Sequence, residues 1–181
     1  MKETLLYKKA IYQSNFVSIH EDTVLTHEMH EAKRIVVDHP GASAILPITK
    51  DNKIILVKQY RHPILDVSIE IPAGKLELGE DPLLCALREC EEEAHVKPLS
   101  TKHIHSIHTC VGFSNEVIHL YIGYNCTKVN NPKPKDHDEH FDIVTLSIPE
   151  VKDMIKKGII TDAKTLVTLY YAFLSDELRD S

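Results

Sequence analysis

Short runs in which apolar and polar residues alternate dominate the chain, and they predict an α+β fold. Residues 42–49 and 53–61 read as two strands, joined at Asp51 and Asn52, a pair suited to a hairpin turn. Helices are predicted over 82–94, from just after Pro149 to Gly158, and over about 162–174. Further strands are predicted at 102–110, 117–128 and 141–147, and residues 68–71 lead into the loop that precedes the helix over 82–94.

The N-terminal part of the chain reads as a separate small sheet. Residues 1 to about 40 predict short strands, and the segment His39-Pro40-Gly41 then interrupts the pattern. We therefore expect an N-terminal β subdomain over 1–41 and a main domain over 42–181.

Two residues indicate where the helix over 82–94 begins. Asp81 is suited to cap the free amides of the first turn, and Pro82 suits the first helical position, where no N–H is needed. At 3.6 residues per turn, the face expected to dock on the core consists of Leu83, Leu87, Cys90 and Ala94. For the last helix, the expected apolar face consists of Leu166, Tyr170 and Phe173.

The helix over 82–94 also carries a cluster of acids. Glu89 and Glu93 lie one helical turn apart, and Glu92 lies on the flank. Such a pair of like charges weakens a helix by about 0.2–0.5 kcal/mol, which a bound divalent cation would offset. Carboxylate oxygens are the ligands that magnesium and manganese prefer. The other interpretation, from the acids alone, is a solvated face partly neutralised by Arg88.

The surrounding residues favour the metal site. Gly74, then five residues, Glu80, seven residues and the run 88–93 resemble the signature of the Nudix hydrolase superfamily. The resemblance implies a Nudix-type α/β/α sandwich with a small N-terminal β-sheet subdomain, and pyrophosphate hydrolysis with Mg²⁺ or Mn²⁺. The family has a glycine where this chain has His95, so we expect His95 to end the helix in a left-handed conformation at some cost.

Four further segments resemble one subgroup, the ADP-ribose pyrophosphatases and related ADP-sugar hydrolases. They are 39–41, 55–61, 70–75 and 112–116. The resemblance implies hydrolysis of ADP-ribose to AMP and ribose 5-phosphate. Val111 stands where the subgroup usually has a proline, which keeps open another nucleoside diphosphate sugar, such as an ADP-hexose or GDP-mannose.

The resemblance also implies roles for residues at matching positions. The carbonyl of Ala73 and the carboxylates of Glu89, Glu92 and Glu93 would hold the metal. Arg88 would hold the carboxylates in place, with Glu80 as its partner. The general base of the family lies on a loop that corresponds to 136–140, where we expect Glu139, with Glu116 as the alternative.

The expected contacts with the substrate lie elsewhere in the chain. Arg61, in a Gln-Tyr-Arg match, is expected to contact the substrate phosphates. Phe16 and Arg34 correspond more loosely to residues that hold the adenine and come from a partner subunit. Phe16 could equally pack a dimer interface, and both interpretations predict a homodimer.

Composition narrows the cellular context. A formal net charge of −6 argues against a general nucleic-acid binder. We see no signal peptide or membrane span, and the 4 cysteines lack paired metal-ligand spacing. Free thiols in the cytoplasm are therefore expected. A nucleotide-binding sensor without turnover is the rival from another class, and the retained acids and Arg88 argue against it.

Overall fold

Strands contain more of the described residues than helices do, as the alternating pattern predicts. The computed structural model describes residues 1–132, 140–175 and 177–178. These residues fall into two units, one with 1–41 and 108–117, the other with 42–107 and the chain from 118 onwards. None of the helices among the described residues is long and apolar enough to cross a membrane.

The smaller unit is built on a three-stranded antiparallel sheet with sequential hairpin connections. Its strands are β1 (Thr4–Gln13), β2 (Ser18–Leu25) and β3 (Glu31–Asp38). Every residue of β1 is exposed, whereas Val24 and His20 of β2 are buried. Such a thin sheet buries little apolar surface, and the burial of apolar surface is the main favourable term in folding.

The larger unit is a mixed sheet with helices on both faces. Its strands and helices are β4 (Ala42–Thr49), β5 (Ile54–Arg61), β6 (Asp66–Glu70), β7 (Ala73–Lys75), α1 (Pro82–Ala94), β8 (Val96–Lys97), β9 (Ser100–His108), β10 (Val117–Lys128), β11 (Phe141–Leu146), α2 (Ile148–Lys156) and α3 (Ala163–Leu174). The strand order is β11-β5-β4-β10-β8, with β6 beside β5, β7 beside β4 and β9 beside β10. The β4 strand runs parallel to β10, whereas the pairs β4–β5, β4–β7, β5–β6, β5–β11 and β8–β10 are antiparallel.

Alternation along the central strands assigns residues to the two sides of this sheet. Leu46 and Leu56 belong to a core with residues of α2 and α3. Ile45 and Ile55, one position away, belong to a second core with residues of α1. Successive strand residues point to opposite faces, so the sheet lies between α1 and the α2–α3 pair. This is the predicted α/β/α sandwich.

The buried face of α3 differs from the prediction. Tyr170 is 50% exposed, and Leu166 and Phe173 are only partly buried. Thr165, Thr168, Leu169 and Ala172 are fully buried instead, and Lys164 is largely buried beside them. The apolar period was misleading here because the polar side chains on the buried side find partners within the larger unit, as described below.

Candidate active site

Both ends of α1 are fixed as the sequence predicts. The carboxylate of Asp81 accepts hydrogen bonds from the amides of Leu83 and Leu84 at 2.8 and 3.3 Å, and Pro82 occupies the first turn. At the other end, His95 adopts the left-handed conformation, with φ 55° and ψ 32°. The helix therefore starts and stops at defined residues, and the direction of each acid follows from its position.

The buried face of α1 is displaced from the predicted one. Cys90 and Ala94 are buried as predicted, but Leu83 and Leu87 are only partly buried. Ala86 and Cys85 are fully buried in their place. Small side chains let the helix approach the sheet closely, and the longer leucines then lie at its sides. Burial raises the pKa of the Cys85 thiol to about 12, so the thiol is neutral.

Two acids of α1 turn towards the backbone of β7. Glu93 Oε2 accepts a hydrogen bond from the amide of Ala73 at 2.9 Å. Glu89 lies against Gly74 so closely that a Cβ added at Gly74 would be 1.7 Å from Glu89 Oε1. With Glu89 in this position, only glycine fits at residue 74. The structure thus brings together Ala73, Glu89 and Glu93, three of the residues predicted to bind metal.

Arg88 connects the acids of this site, as predicted. Its guanidinium donates to both oxygens of Glu80 at 3.0 and 3.1 Å. Its Nη1 donates to Glu89 Oε1 at 2.5 Å and to Glu92 Oε2 at 3.2 Å. The hydrogen bond from Arg88 lowers the pKa of Glu80, and the same contact raises the pKa of Arg88. One cation thereby contacts three carboxylates, those of Glu80, Glu89 and Glu92.

The chemistry of these donors fits a hard divalent cation. Glu89, Glu92, Glu93 and the carbonyl of Ala73 offer oxygen atoms alone, which suits Mg²⁺ or Mn²⁺ better than softer metals. The close approach of Glu89 to Gly74 is the second feature that fits. Among the described residues, no three His, Cys, Asp or Glu side chains are gathered in a ready coordination sphere. In this arrangement Arg88 and the Ala73 amide engage the carboxylates instead.

Arg61 is held by a second ionic cluster that the sequence did not predict. Its Nε and Nη2 donate to the two oxygens of Glu70 at 2.7 and 2.6 Å. Glu70 is buried and also accepts from Lys164 Nζ at 2.5 Å. Lys164 in turn pairs with Asp162 at 3.0 Å. Burial of Glu70 would raise its pKa, but the hydrogen bonds and charges of Arg61 and Lys164 outweigh burial and lower it to about 2.

The same cluster continues into the start of α3. Asp162 caps the helix by accepting from the amide of Thr165 at 3.0 Å and from its hydroxyl at 2.6 Å. The hydroxyl of Thr165 accepts from the amide of Ile71 at 2.9 Å. These contacts explain the polar buried face of α3. The only sequence signal was Asp162, a residue type typical of a helix cap.

The residues expected to contact adenine, and Glu116 as the alternative general base, lie in the smaller unit. Phe16 is 49% exposed, with its ring edge-on to His39 at 6.1 Å between centroids. Arg34 donates to both oxygens of Glu3 at 3.2 and 2.6 Å. Glu116 accepts from the hydroxyl of Thr109 at 2.5 Å and lies 3.3 Å from His39 Nδ1. Glu139, the predicted base, lies outside the described residues.

Comparisons with known proteins give consistent results. Residues 38–168 match the model of the NUDIX domain family. A methanol dehydrogenase activator from Bacillus methanolicus is 38% identical over 178 residues, which cover 98% of this chain and 96% of that protein. An ADP-ribose pyrophosphatase from Bacillus subtilis is 31% identical over 179 residues, covering 99% and 97%. The crystal structure of an ADP compounds hydrolase shares the fold, with a TM-score of 0.83, 16% identity and coverage of 99% and 98%.

Proposed function

This chain belongs to the Nudix family, and we propose that it hydrolyses ADP-ribose to AMP and ribose 5-phosphate with Mg²⁺ or Mn²⁺. The observation that carries the proposal is the approach of Glu89 and Glu93 to the Ala73–Gly74 backbone. The full-length similarity to an ADP-ribose pyrophosphatase supports the choice of substrate.

The metal would be held by Glu89, Glu92, Glu93 and the carbonyl of Ala73. When bound, such an ion neutralises the pyrophosphate and activates a water molecule. Arg88 holds the carboxylates of Glu89 and Glu92 in position, since its guanidinium already bonds to both.

Arg61 binds the phosphates through the part of its guanidinium that Glu70 does not occupy. Glu139 takes the proton from the attacking water as a P–O bond of the pyrophosphate breaks, with Glu116 as the alternative base.

The adenine end of the substrate is assigned to the smaller unit. We assign adenine contacts to Phe16, which offers an aromatic face for stacking, and to Arg34. In this proposal the N-terminal sheet of one subunit serves the site of its partner in a homodimer, and the protein acts in the cytoplasm. The exposed apolar residues of β1, among them Leu5, Ile11 and Tyr12, support an interface on this sheet.

A substrate panel tests the proposal. The purified protein is incubated with Mg²⁺ and ADP-ribose, ADP-glucose or GDP-mannose, and the products are separated by chromatography. We expect AMP and ribose 5-phosphate from ADP-ribose at the highest kcat/KM. A preference for another nucleotide sugar would keep the reaction and replace the substrate. Nucleotide binding without turnover, with Mg²⁺ or Mn²⁺, would favour the sensor.

A second candidate function follows from the relative that is named a methanol dehydrogenase activator. In this alternative, the chain stimulates a partner dehydrogenase. The test adds the wild-type protein or its Glu93→Gln variant to a methanol dehydrogenase and measures methanol oxidation. Stimulation by the wild type alone would link activation to hydrolysis, and no stimulation by either protein would reject the candidate.

A further inference from the structure

We propose that Lys164 is a positioning residue for phosphate binding, because it holds Glu70 in the place from which Glu70 orients Arg61. This inference rests on the proposed function, which assigns Arg61 to the substrate phosphates.

Glu70 fixes one edge of the Arg61 guanidinium. Two nitrogens of Arg61 donate to the two oxygens of Glu70 in a bidentate pair, at 2.7 and 2.6 Å. In the part of the chain that the structure describes, the side chain of Arg61 makes no other hydrogen bond, so Nη1 is available to an anion. The side chain of Arg61 is 42% exposed, while that of Glu70 is 3% exposed. One edge of the Arg61 guanidinium is therefore held by Glu70, and the rest is accessible to solvent.

Lys164 determines where Glu70 lies and how much of its charge reaches Arg61. Lys164 Nζ donates to Glu70 Oε2, the same oxygen that accepts from Arg61 Nη2. Nζ also donates to Asp162, the cap of α3. Glu70 is thus tied to the start of a helix. Because Lys164 shares the negative charge of Glu70, Arg61 keeps more of its positive potential for a phosphate.

Stability alone is a weak reason for a lysine at this position. The side chain of Lys164 is 10% exposed, and lysine is almost never buried unless it is paired. Replacing a buried ion pair by apolar residues of similar volume is often neutral or stabilising. The second cation on Glu70 therefore points to a role in orienting Arg61.

A double-mutant cycle tests this role. The kcat and KM for ADP-ribose are measured for the wild type, Lys164→Met, Arg61→Met and the double variant. We expect Lys164→Met to raise KM about five- to tenfold, in the range of couplings within one ion-pair network, and to leave kcat within about twofold. In the Arg61→Met background, the same substitution should change KM by less than about 1.5-fold.

Further variants separate positioning from packing. Lys164→Arg keeps the cation and should keep KM within about twofold of the wild type. The twofold range allows for the different geometry of a guanidinium and an ammonium group. Lys157→Met, which removes an exposed lysine paired with Asp153 at 2.7 Å, is the matched control and should leave KM unchanged. If Lys164→Met does not fold, Lys164→Gln replaces it in the cycle.

The outcomes distinguish the two proposals. An unchanged KM in Lys164→Met, or an equal increase in both backgrounds, overturns the positioning role and leaves the proposed function intact. If the wild type does not hydrolyse ADP-ribose, the proposed function fails. The same cycle, measured as calorimetric affinity for inorganic pyrophosphate, then decides whether Lys164 acts through Arg61.

Discussion

Two ionic clusters in the larger unit differ in how the sequence encodes them. The α1 cluster joins Arg88 to Glu80, Glu89 and Glu92, residues within one short stretch of chain. The buried cluster joins Glu70 to Arg61 and Lys164, and Glu70 and Lys164 are 94 positions apart. The side chain of Arg88 is 22% exposed, whereas that of Glu70 is 3% exposed.

This difference gives the two clusters different capabilities. Arg88 has three carboxylate partners and contact with water, so one partner can leave at little cost, as binding of a cation would require. Glu70 has two cationic partners and almost no contact with water. Removing its carboxylate therefore leaves the charges of Arg61 and Lys164 without compensation. The carboxylates of the α1 cluster can therefore exchange Arg88 for a bound cation, whereas the buried cluster is suited to hold one geometry.

The largest expected effect compares the central acid of each cluster. Glu70→Gln should lower the free energy of unfolding by about 3–5 kcal/mol, because it removes the charge that two cations share. Glu80→Gln should lower it by at most about 1 kcal/mol, because Arg88 keeps Glu89 and Glu92. Urea unfolding of both variants measures the difference. Equal losses would remove the distinction between the clusters.

A substitution at Gly74 tests the α1 cluster through function. A Cβ at this position would be 1.7 Å from Glu89 Oε1. Because that atom is the end of a flexible side chain, Gly74→Ala should displace Glu89 and cost little stability. We expect kcat/KM to fall about a hundredfold, in line with the loss of one charge-stabilising group. Thermal unfolding and ADP-ribose turnover are measured together, and a full retention of turnover would contradict the assigned position of Glu89.

The buried cluster should also respond to pH. The pKa of Glu70 is lowered from 4.5 to about 2. A lowered carboxyl pKa stabilises the folded state fully above the unfolded value, and this contribution is lost as the pH falls towards the folded value. The difference in unfolding free energy between the wild type and Glu70→Gln should therefore be constant above about pH 5 and shrink between pH 4.5 and 2. A difference that stays constant to pH 2 would be inconsistent with this ionised carboxylate.

The smallest expected effect concerns the end of α1. His95 has φ 55°, a conformation in which glycine has no side-chain clash. His95→Gly should raise the free energy of unfolding by about 1 kcal/mol, and His95→Ala, which keeps a Cβ, should not. Thermal melts of the two variants measure the gain. A lower melting temperature for His95→Gly would show that the histidine side chain makes a stabilising contact.

The sequence predicted the local features of the site well. Asp81, Pro82 and His95 mark the ends of α1, and Arg88 contacts Glu92 one turn further along the same helix. These features depend on residues within a few turns of one another. Helical geometry alone relates such residues, so the sequence carries the information directly.

The sequence failed where partners come from distant parts of the chain. The apolar period of α3 predicted a buried Tyr170, yet Lys164 and Thr165 are buried instead. Their partners, Glu70 and the Ile71 amide, lie on and next to β6. A pattern of hydrophobicity treats lysine and threonine as exposed, because it has no information about a compensating charge or amide from elsewhere.

The central claim, that the acids of α1 support metal-dependent hydrolysis, is tested most directly by the turnover of ADP-ribose with Mg²⁺ in Glu93→Gln and Glu91→Gln. Glu91 lies on the same helix, is also buried and pairs with Lys97 at 3.0 Å, so it is a matched control. We predict that Glu93→Gln lowers kcat by about a thousandfold, since metal chemistry supplies several kcal/mol, and that Glu91→Gln stays within about threefold. Equal activity of the two variants would contradict the account.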